Sequence, residues 1–199
     1  MGKCCFIGHR KINITDELRQ RVKEVVKDLI VKFQVDAFLF GSRSDFDYLC
    51  HLIVSELKEE YPHIKRVAYT CRSETCVLES EREEWEKIYS NIHKRKVKLL
   101  CVEEEFEHQT KYTSAKASYV ERNQAMIENS DFCVFYFDEN YKPPIRKHSK
   151  KELVYYQPTC GTKLAFKFAT SKNKKVINLN EKRNSLFWVP FLAFSGEEI

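Results

Sequence analysis

The glycines and arginines that directly follow apolar runs are the residues of this chain best suited to bind a phosphate. Gly8-His9-Arg10 follows the apolar run 3–7, and Gly41-Ser42 follows the run 35–40. Glycine lets backbone N–H groups approach an anion, and a guanidinium can bind a phosphate or carboxylate through two parallel hydrogen bonds. Both segments therefore favour anion binding, although glycines that only turn the chain give the same pattern.

The segment Cys160-Gly161-Thr162 has the same character, because it also precedes a predicted helix. The amino terminus of a helix carries a partial positive charge and unpaired N–H groups. Thr162 either caps its helix or contacts a phosphate. With the helix start after Gly41, this makes two candidate phosphate sites.

Asn123 is an amide on a predicted helix face that is otherwise apolar. Its surface neighbours, three and four positions away, are apolar or aromatic: Tyr119, Val120, Met126 and Ile127. A buried amide without partners costs about 1–3 kcal/mol, so we expect a polar group opposite it. That group is either a ligand or a neighbouring loop. Arg122, beside Asn123, is a further basic candidate for anion binding.

Three other polar side chains have roles that the sequence leaves open. His9 either contacts a ligand or makes a structural hydrogen bond. Asp47, one turn into a predicted helix, could hold a ribose hydroxyl, act as a general base or interact with the helix dipole. The catalytic residues, if any, stay unassigned.

Strands and helices that alternate along the chain must position these residues. Strands are predicted from the apolar runs 3–7, 35–40, 64–71, 97–102, 132–137 and 175–179, and helices from apolar residues at three- and four-residue spacing between them. This alternation predicts an α/β fold, a Rossmann-like three-layer sandwich with a mostly parallel central sheet. Ligands of such sheets bind beyond the carboxyl ends of the strands. Gly8 and Gly41 fall at that edge, and so does Arg122, because its helix runs antiparallel to the strands.

The length of 199 residues fits a single domain, 1–199. Within it, 138–158 reads as an inserted basic loop, and loops of that length are usually functional or disordered. The tail, 181–199, is apolar. We expect it either to pack back on the domain or to meet a partner subunit in a homo-oligomer.

The composition excludes several classes of protein. An apolar content of 43% argues against disorder, and no apolar run approaches the roughly 18 residues of a membrane span. The first residues do not resemble a signal peptide, so a cytoplasmic protein without a membrane partner is expected. The net charge of +5 is mild and the charges alternate in sign, so nucleic-acid binding is permitted but not indicated.

The eight cysteines lie mostly inside apolar runs, where free thiols behave as small hydrophobic groups. Cys71 and Cys76 are the closest to a metal-binding spacing, but no second pair completes four ligands. We therefore expect reduced thiols, no metal and no cofactor.

Several short motifs, taken in order, resemble the YpsA-like branch of the SLOG superfamily. They are Gly8-His9-Arg10, Gly41 with Phe46-Asp47, Tyr61-Pro62, Arg122-Asn123 with Met126-Ile127 and Ser130-Asp131, and Gly161-Thr162. The resemblance spans most of residues 3 to 180 and extends distantly to the LOG phosphoribohydrolases and the DprA/Smf DNA-processing proteins. It implies a Rossmann-like sheet that binds a nucleotide or nucleotide derivative, with a sensory or regulatory role as a common inference for this branch.

The sequence departs from the LOG hydrolases at one informative place. Those enzymes have a glycine-rich loop before Gly-Thr and a glutamate shortly after it, whereas Gly161-Thr162 is followed here by Lys163-Leu164-Ala165-Phe166-Lys167. The expected acid for glycosidic cleavage is therefore missing. Binding of a nucleotide-derived small molecule is the leading hypothesis, with phosphate contacts from Gly41 and Gly161 and base or ribose contacts from Asn123 and Asp47. One alternative is a nucleotide N-glycosidase or phosphoribohydrolase, which would require a carboxylate near the ribose, with Asp47 and Glu121 as the candidates. The other alternative is a module that binds nucleic acid or protein.

Overall fold

The first half of the chain builds three parallel strands and two helices. A computed structural model of the protein describes residues 2–41, 44–72, 74–97, 99–109, 115–147, 155–156 and 158–180. Strand β1 (Gly2–Gly8) leads into helix α1 (Asp16–Phe33), and β2 (Val35–Phe40) leads into α2 (Asp45–Leu57) and β3 (Lys65–Thr70). The hydroxyl of Thr15 caps α1 by accepting from the Leu18 N–H at 3.1 Å.

The segment after β3 corrects one strand prediction. A 3₁₀ turn (Glu79–Glu81) and α3 (Arg82–His93) precede β4 (Glu104–Glu107). The described part of 97–102 is not a strand, since it contributes only an isolated bridge between Val102 and Leu78. Its apolar pattern reflects burial, because Cys101 and Val102 are almost fully buried although they do not pair in a regular strand ladder. The neighbouring acidic run, 104–107, forms the exposed strand β4.

The second half adds two strands on the other side of β1. Helix α4 (Ala115–Glu128) precedes β5 (Phe132–Tyr136), and α5 (Gly161–Ser171) precedes β8 (Lys175–Asn178). Two short strands, β6 (Arg146–Lys147) and β7 (Tyr155–Tyr156), pair antiparallel inside the predicted basic insertion. The apolar tail, 181–199, lies outside the described residues.

The six-stranded sheet of the described chain is parallel throughout, in the order β4-β3-β2-β1-β5-β8. The order reverses at β1, which lies between β2 and β5 as in Rossmann-like folds. The predicted α/β class and Rossmann-like three-layer arrangement are therefore confirmed. None of the described helices combines the length and the apolar character that crossing a membrane requires.

Side chains that alternate along β1 show how the layers form. Cys4 and Phe6 join a core with α1 and α2, whereas Cys5 and Ile7 join a second core with α4 and α5. This period of two is what a parallel strand covered on both faces requires. The two layers of helices thus fix which residues remain at the carboxyl edge of the sheet.

Candidate functional site

Gly8 ends β1 at a point of close packing. A Cβ on Gly8 would come within 2.5 Å of Phe46 Cβ on α2. On the same residue, the backbone carbonyl accepts a hydrogen bond from the Thr162 hydroxyl of α5 at 3.0 Å. Gly8 therefore lets α2 lie against β1, and Thr162 uses its hydroxyl to attach α5 to the same strand.

His9 is 2% exposed, and the chain engages both of its ring nitrogens. The backbone N–H of Asp138 donates to Nε2 at 2.8 Å, so Nε2 carries no proton. Nδ1 then carries it and lies 3.6 Å from Cys160 Sγ. The ring of Tyr141 stacks on the imidazole with centroids 4.0 Å apart, and burial lowers the pKa of His9. Through these contacts His9 links the end of β1 to the segment after β5.

Polar groups at the start of α2 already form hydrogen bonds with other groups of the protein. The Ser44 hydroxyl accepts from the Asp47 N–H at 3.1 Å, and the Asp45 N–H donates to the Arg10 carbonyl at 3.0 Å. The Asp45 carboxylate also pairs with exposed Lys11 at 3.1 Å. A phosphate at this helix start would compete with these groups. Ser42, a predicted ligand residue, lies outside the described residues.

A cavity of about 630 Å³ opens beyond the carboxyl ends of β2 and β3. Helix α2 forms one wall, and the segments after β3 and before β4 form the others. Gly41 and Asp47 are the predicted site residues that line it, and Asp47 is 6% exposed. Its other polar lining comes from Ser44, Asp45, Tyr48, His51, Thr70, Glu74, Thr75 and Cys76.

His51 was not singled out from the sequence, although it lies four residues after Asp47 on the same face of α2. Its Nε2 lies 3.1 Å from the Cys101 carbonyl, and its ring packs on Phe40 with centroids 4.5 Å apart. Burial lowers the pKa of His51 to about 4, so the side chain is neutral at pH 7. In the same cavity, burial followed by nearby Glu105 raises the pKa of Cys76 to about 12, and its thiol stays protonated.

Arg122 is the deeply buried charged residue among the described side chains of α4, at 2% exposure. Its Nη1 donates to Glu74 Oε2 at 2.5 Å, and its Nη2 donates to Asn123 Oδ1 at 3.1 Å. Buried Nε has no hydrogen-bond acceptor among the described residues. A Cβ on Gly41 would lie 3.2 Å from this Nε, so Arg122 does reach the end of β2 as the topology predicts.

Asn123 itself is only half-buried, so the prediction that it sits at the centre of a buried face is wrong. Met126 and Ile127 are fully buried, but Tyr119 is 37% exposed. The buried face of α4 includes Arg122 rather than Asn123. Asn123 Oδ1 accepts a hydrogen bond from Arg122 on the same helix, whereas a ligand or a neighbouring loop was expected as the partner.

Glu74 was also missed, although its position carried a signal. It lies in the loop after β3, at a strand end equivalent to those that drew attention to Gly8 and Gly41. Its Oε2 accepts from the Cys71 N–H at 3.1 Å as well as from Arg122. Glu74 therefore joins the cavity wall to α4.

The start of α5 offers more room than the start of α2. Cys160 precedes the helix without a side-chain cap among the described residues, and Gly161 is exposed. A Cβ on Gly161 would have no described atom within 4 Å. Half-buried Lys163 adds a positive charge there, 4.0 Å from Glu139.

The second carboxylate candidate, Glu121, is not part of the described cavity lining. Its Oε1 lies 3.7 Å from Nε2 of His108, which directly follows β4. The structure thus brings together Gly41 and Asp47 with Arg122 behind them, while Glu121 lies apart. Over the described residues, no three His, Cys, Asp or Glu side chains converge as around a metal ion.

No family model matches the sequence of this chain, and no curated protein matches it at a significant level.

Proposed function

We propose that this protein binds a nucleotide or nucleotide-derived small molecule at the carboxyl edge of its sheet. The observation that carries the proposal is the position of the cavity, which opens over the ends of β2 and β3. Rossmann-like sheets bind their ligands at this edge. Its volume of about 630 Å³ falls within the roughly 300–1,000 Å³ of small-molecule sites.

The charges of the cavity indicate which part of the ligand it takes. Asp45, Asp47 and Glu74 line it, and no lysine or arginine is among its described lining residues. Carboxylates accept hydrogen bonds from hydroxyl and amino groups and repel phosphates. A ribose or a base therefore suits the space beside Asp47 better than a phosphate does.

The phosphate is better accommodated at the start of α5. Gly161 is exposed there and the helix lacks a described side-chain cap, so N–H groups and the helix dipole favour an anion. Thr162 attaches this helix start to Gly8 at the end of β1. Strands β1 and β2 are neighbours, about 5 Å apart, so a nucleotide is long enough to reach from Gly161 to the cavity.

A ligand screen tests the proposal directly. Nucleoside mono- and diphosphates, NAD and ADP-ribose would be added to the full chain, and thermal unfolding would be followed. A ligand at 100 times its Kd stabilises the folded state by about 2.7 kcal/mol, which raises the melting temperature measurably. If no member of the panel shifts unfolding at millimolar concentration, the proposal is wrong.

A further inference from the structure

Glu74 places a carboxylate where a ligand oxyanion would be bound. Its Oε2 accepts from the Cys71 N–H at 3.1 Å, from the Cys71 thiol at 3.5 Å and from Arg122 Nη1 at 2.5 Å. A backbone N–H beside a guanidinium is a common arrangement for binding phosphate and carboxylate oxygens. The chain fills this arrangement with its own side chain.

The guanidinium behind Glu74 still has an unused donor. The side chain of Arg122 is 97% buried, and its Nε has no hydrogen-bond acceptor among the described residues. A buried N–H without an acceptor destabilises the folded state, so an acceptor for it would be favoured. Gly41, a cavity residue, lies directly against this Nε. The unused donor is therefore next to the cavity rather than in the apolar core.

Glu74 separates Arg122 from the cavity. Glu74 is a lining residue with 11% of its side chain exposed, whereas Arg122 is not part of the lining. The loop that carries Glu74 includes Arg72, whose φ of 62° lies in the left-handed region. Movement of the Glu74 side chain would remove one negative charge from the cavity wall and uncover a positive one.

We propose that Glu74 is a built-in occupant of an oxyanion subsite formed by Arg122 and the Cys71 N–H, and that an oxyanion of the ligand displaces it. The ligand group is a phosphate or a carboxylate, since both present the acceptor oxygens that Glu74 now supplies. This inference rests on the proposed function, because it assigns a second anionic group of the same ligand to the Arg122 side of the cavity. With Glu74 in place the subsite is closed, so Glu74 sets the concentration at which such a ligand binds.

Glu74→Ala removes the occupant and leaves the donors in place. We expect its Kd for inorganic phosphate, measured by calorimetry, to fall at least tenfold below that of the wild type. Glu74→Gln keeps the size of the side chain and removes the charge, so it should show a smaller gain in the same direction. The double variant Glu74→Ala/Arg122→Met should lose the gain.

Glu103→Ala is a matched control, because Glu103 pairs with buried Arg66 at 2.5 Å and does not line the cavity. It should lose stability without gaining phosphate affinity. If Glu74→Ala, or Glu74→Gln where the alanine variant does not fold, binds phosphate no better than the wild type, the proposal is overturned. Unchanged nucleotide binding in that case leaves the proposed function intact, whereas a phosphate gain without any nucleotide binding overturns the proposed function alone.

Discussion

Gly8 of β1 and Phe46 of α2 are packed so closely that only a residue without a side chain fits at position 8. A Cβ there would lie 2.5 Å from Phe46 Cβ and 2.6 Å from Phe46 Cδ1. Both residues are buried, and the clash involves the base of the phenylalanine side chain rather than its mobile end. The glycine after the first strand therefore serves the contact between helix and sheet.

Gly8→Ala is expected to lower the free energy of unfolding by about 3 kcal/mol, because α2 must move away from β1 to admit the methyl group. Urea denaturation of the variant and the wild type measures the difference. Gly161→Ala is the matched control, since a Cβ there meets no described atom within 4 Å. A loss below about 1 kcal/mol for Gly8→Ala, relative to this control, would contradict the packing role.

Asp47→Asn should weaken nucleotide binding about tenfold or more while the fold remains stable. The substitution keeps the shape of the side chain but removes the charge that a ribose hydroxyl would contact, and charge-assisted hydrogen bonds contribute about 1.5–3 kcal/mol. Titration calorimetry measures the affinity. Asp28→Asn on α1 serves as a control, because Asp28 forms an exposed ion pair with Lys32 and does not line the cavity. Equal nucleotide affinities for both variants would show that Asp47 does not contact the nucleotide.

Arg122→Ala and Asn123→Ala should differ in their cost to stability. Removing Arg122 leaves the Glu74 carboxylate without its cation, which costs about 3 kcal/mol in a buried pair. Asn123 is half-buried and loses one hydrogen bond, so about 1 kcal/mol is expected. Thermal unfolding measures both. A larger loss of stability for Asn123→Ala than for Arg122→Ala would contradict the assignment of Arg122 as the more deeply buried residue of the two.

His51 should make stability depend on pH. Its folded-state pKa of about 4 lies below the ordinary value of 6.5, so the unfolded chain takes up the proton first as the pH falls. The stabilisation is complete above pH 6.5 and is lost as the pH falls toward 4. Between pH 7 and pH 5 the loss is about 2 kcal/mol, since one pKa unit corresponds to about 1.4 kcal/mol.

His51→Gln removes this titration and should flatten the dependence by that amount. Denaturant midpoints at several pH values between 5 and 7 provide the measurement. His63→Gln on the exposed loop before β3 is the control and should follow the wild type. Parallel curves for all three proteins would mean that His51 titrates normally in the folded state.

The order of strands and helices was predictable because burial on both faces leaves continuous apolar runs, as in Phe132–Tyr136. The apolar run 97–102 was wrongly predicted to be a strand for the same reason. Of its described residues, Cys101 and Val102 are buried with only an isolated bridge, and apolar character alone does not distinguish such burial from that of a strand. The edge strand β4 was missed because it is charged and exposed.

The site was predictable only in outline. The carboxyl edge followed from the parallel topology, and Gly41, Asp47 and Arg122 do converge around it. The identity of each contact did not follow, because the sequence shows residue types without showing which groups satisfy one another. The side chains of His9 and Thr162 hydrogen-bond to backbone groups of the chain itself. The spacing of residues along the sequence does not reveal such contacts.

Strand β4 lies at one edge of the sheet that the described residues form. Three of its four exposed residues are glutamates: Glu104, Glu105 and Glu107. An outer strand normally offers its unpaired backbone groups to any extended chain nearby. Here a second molecule that approached in the same way would bring its own glutamates against these, and like charges would drive the two apart. The acidic run is therefore expected to disfavour edge-to-edge pairing of two molecules.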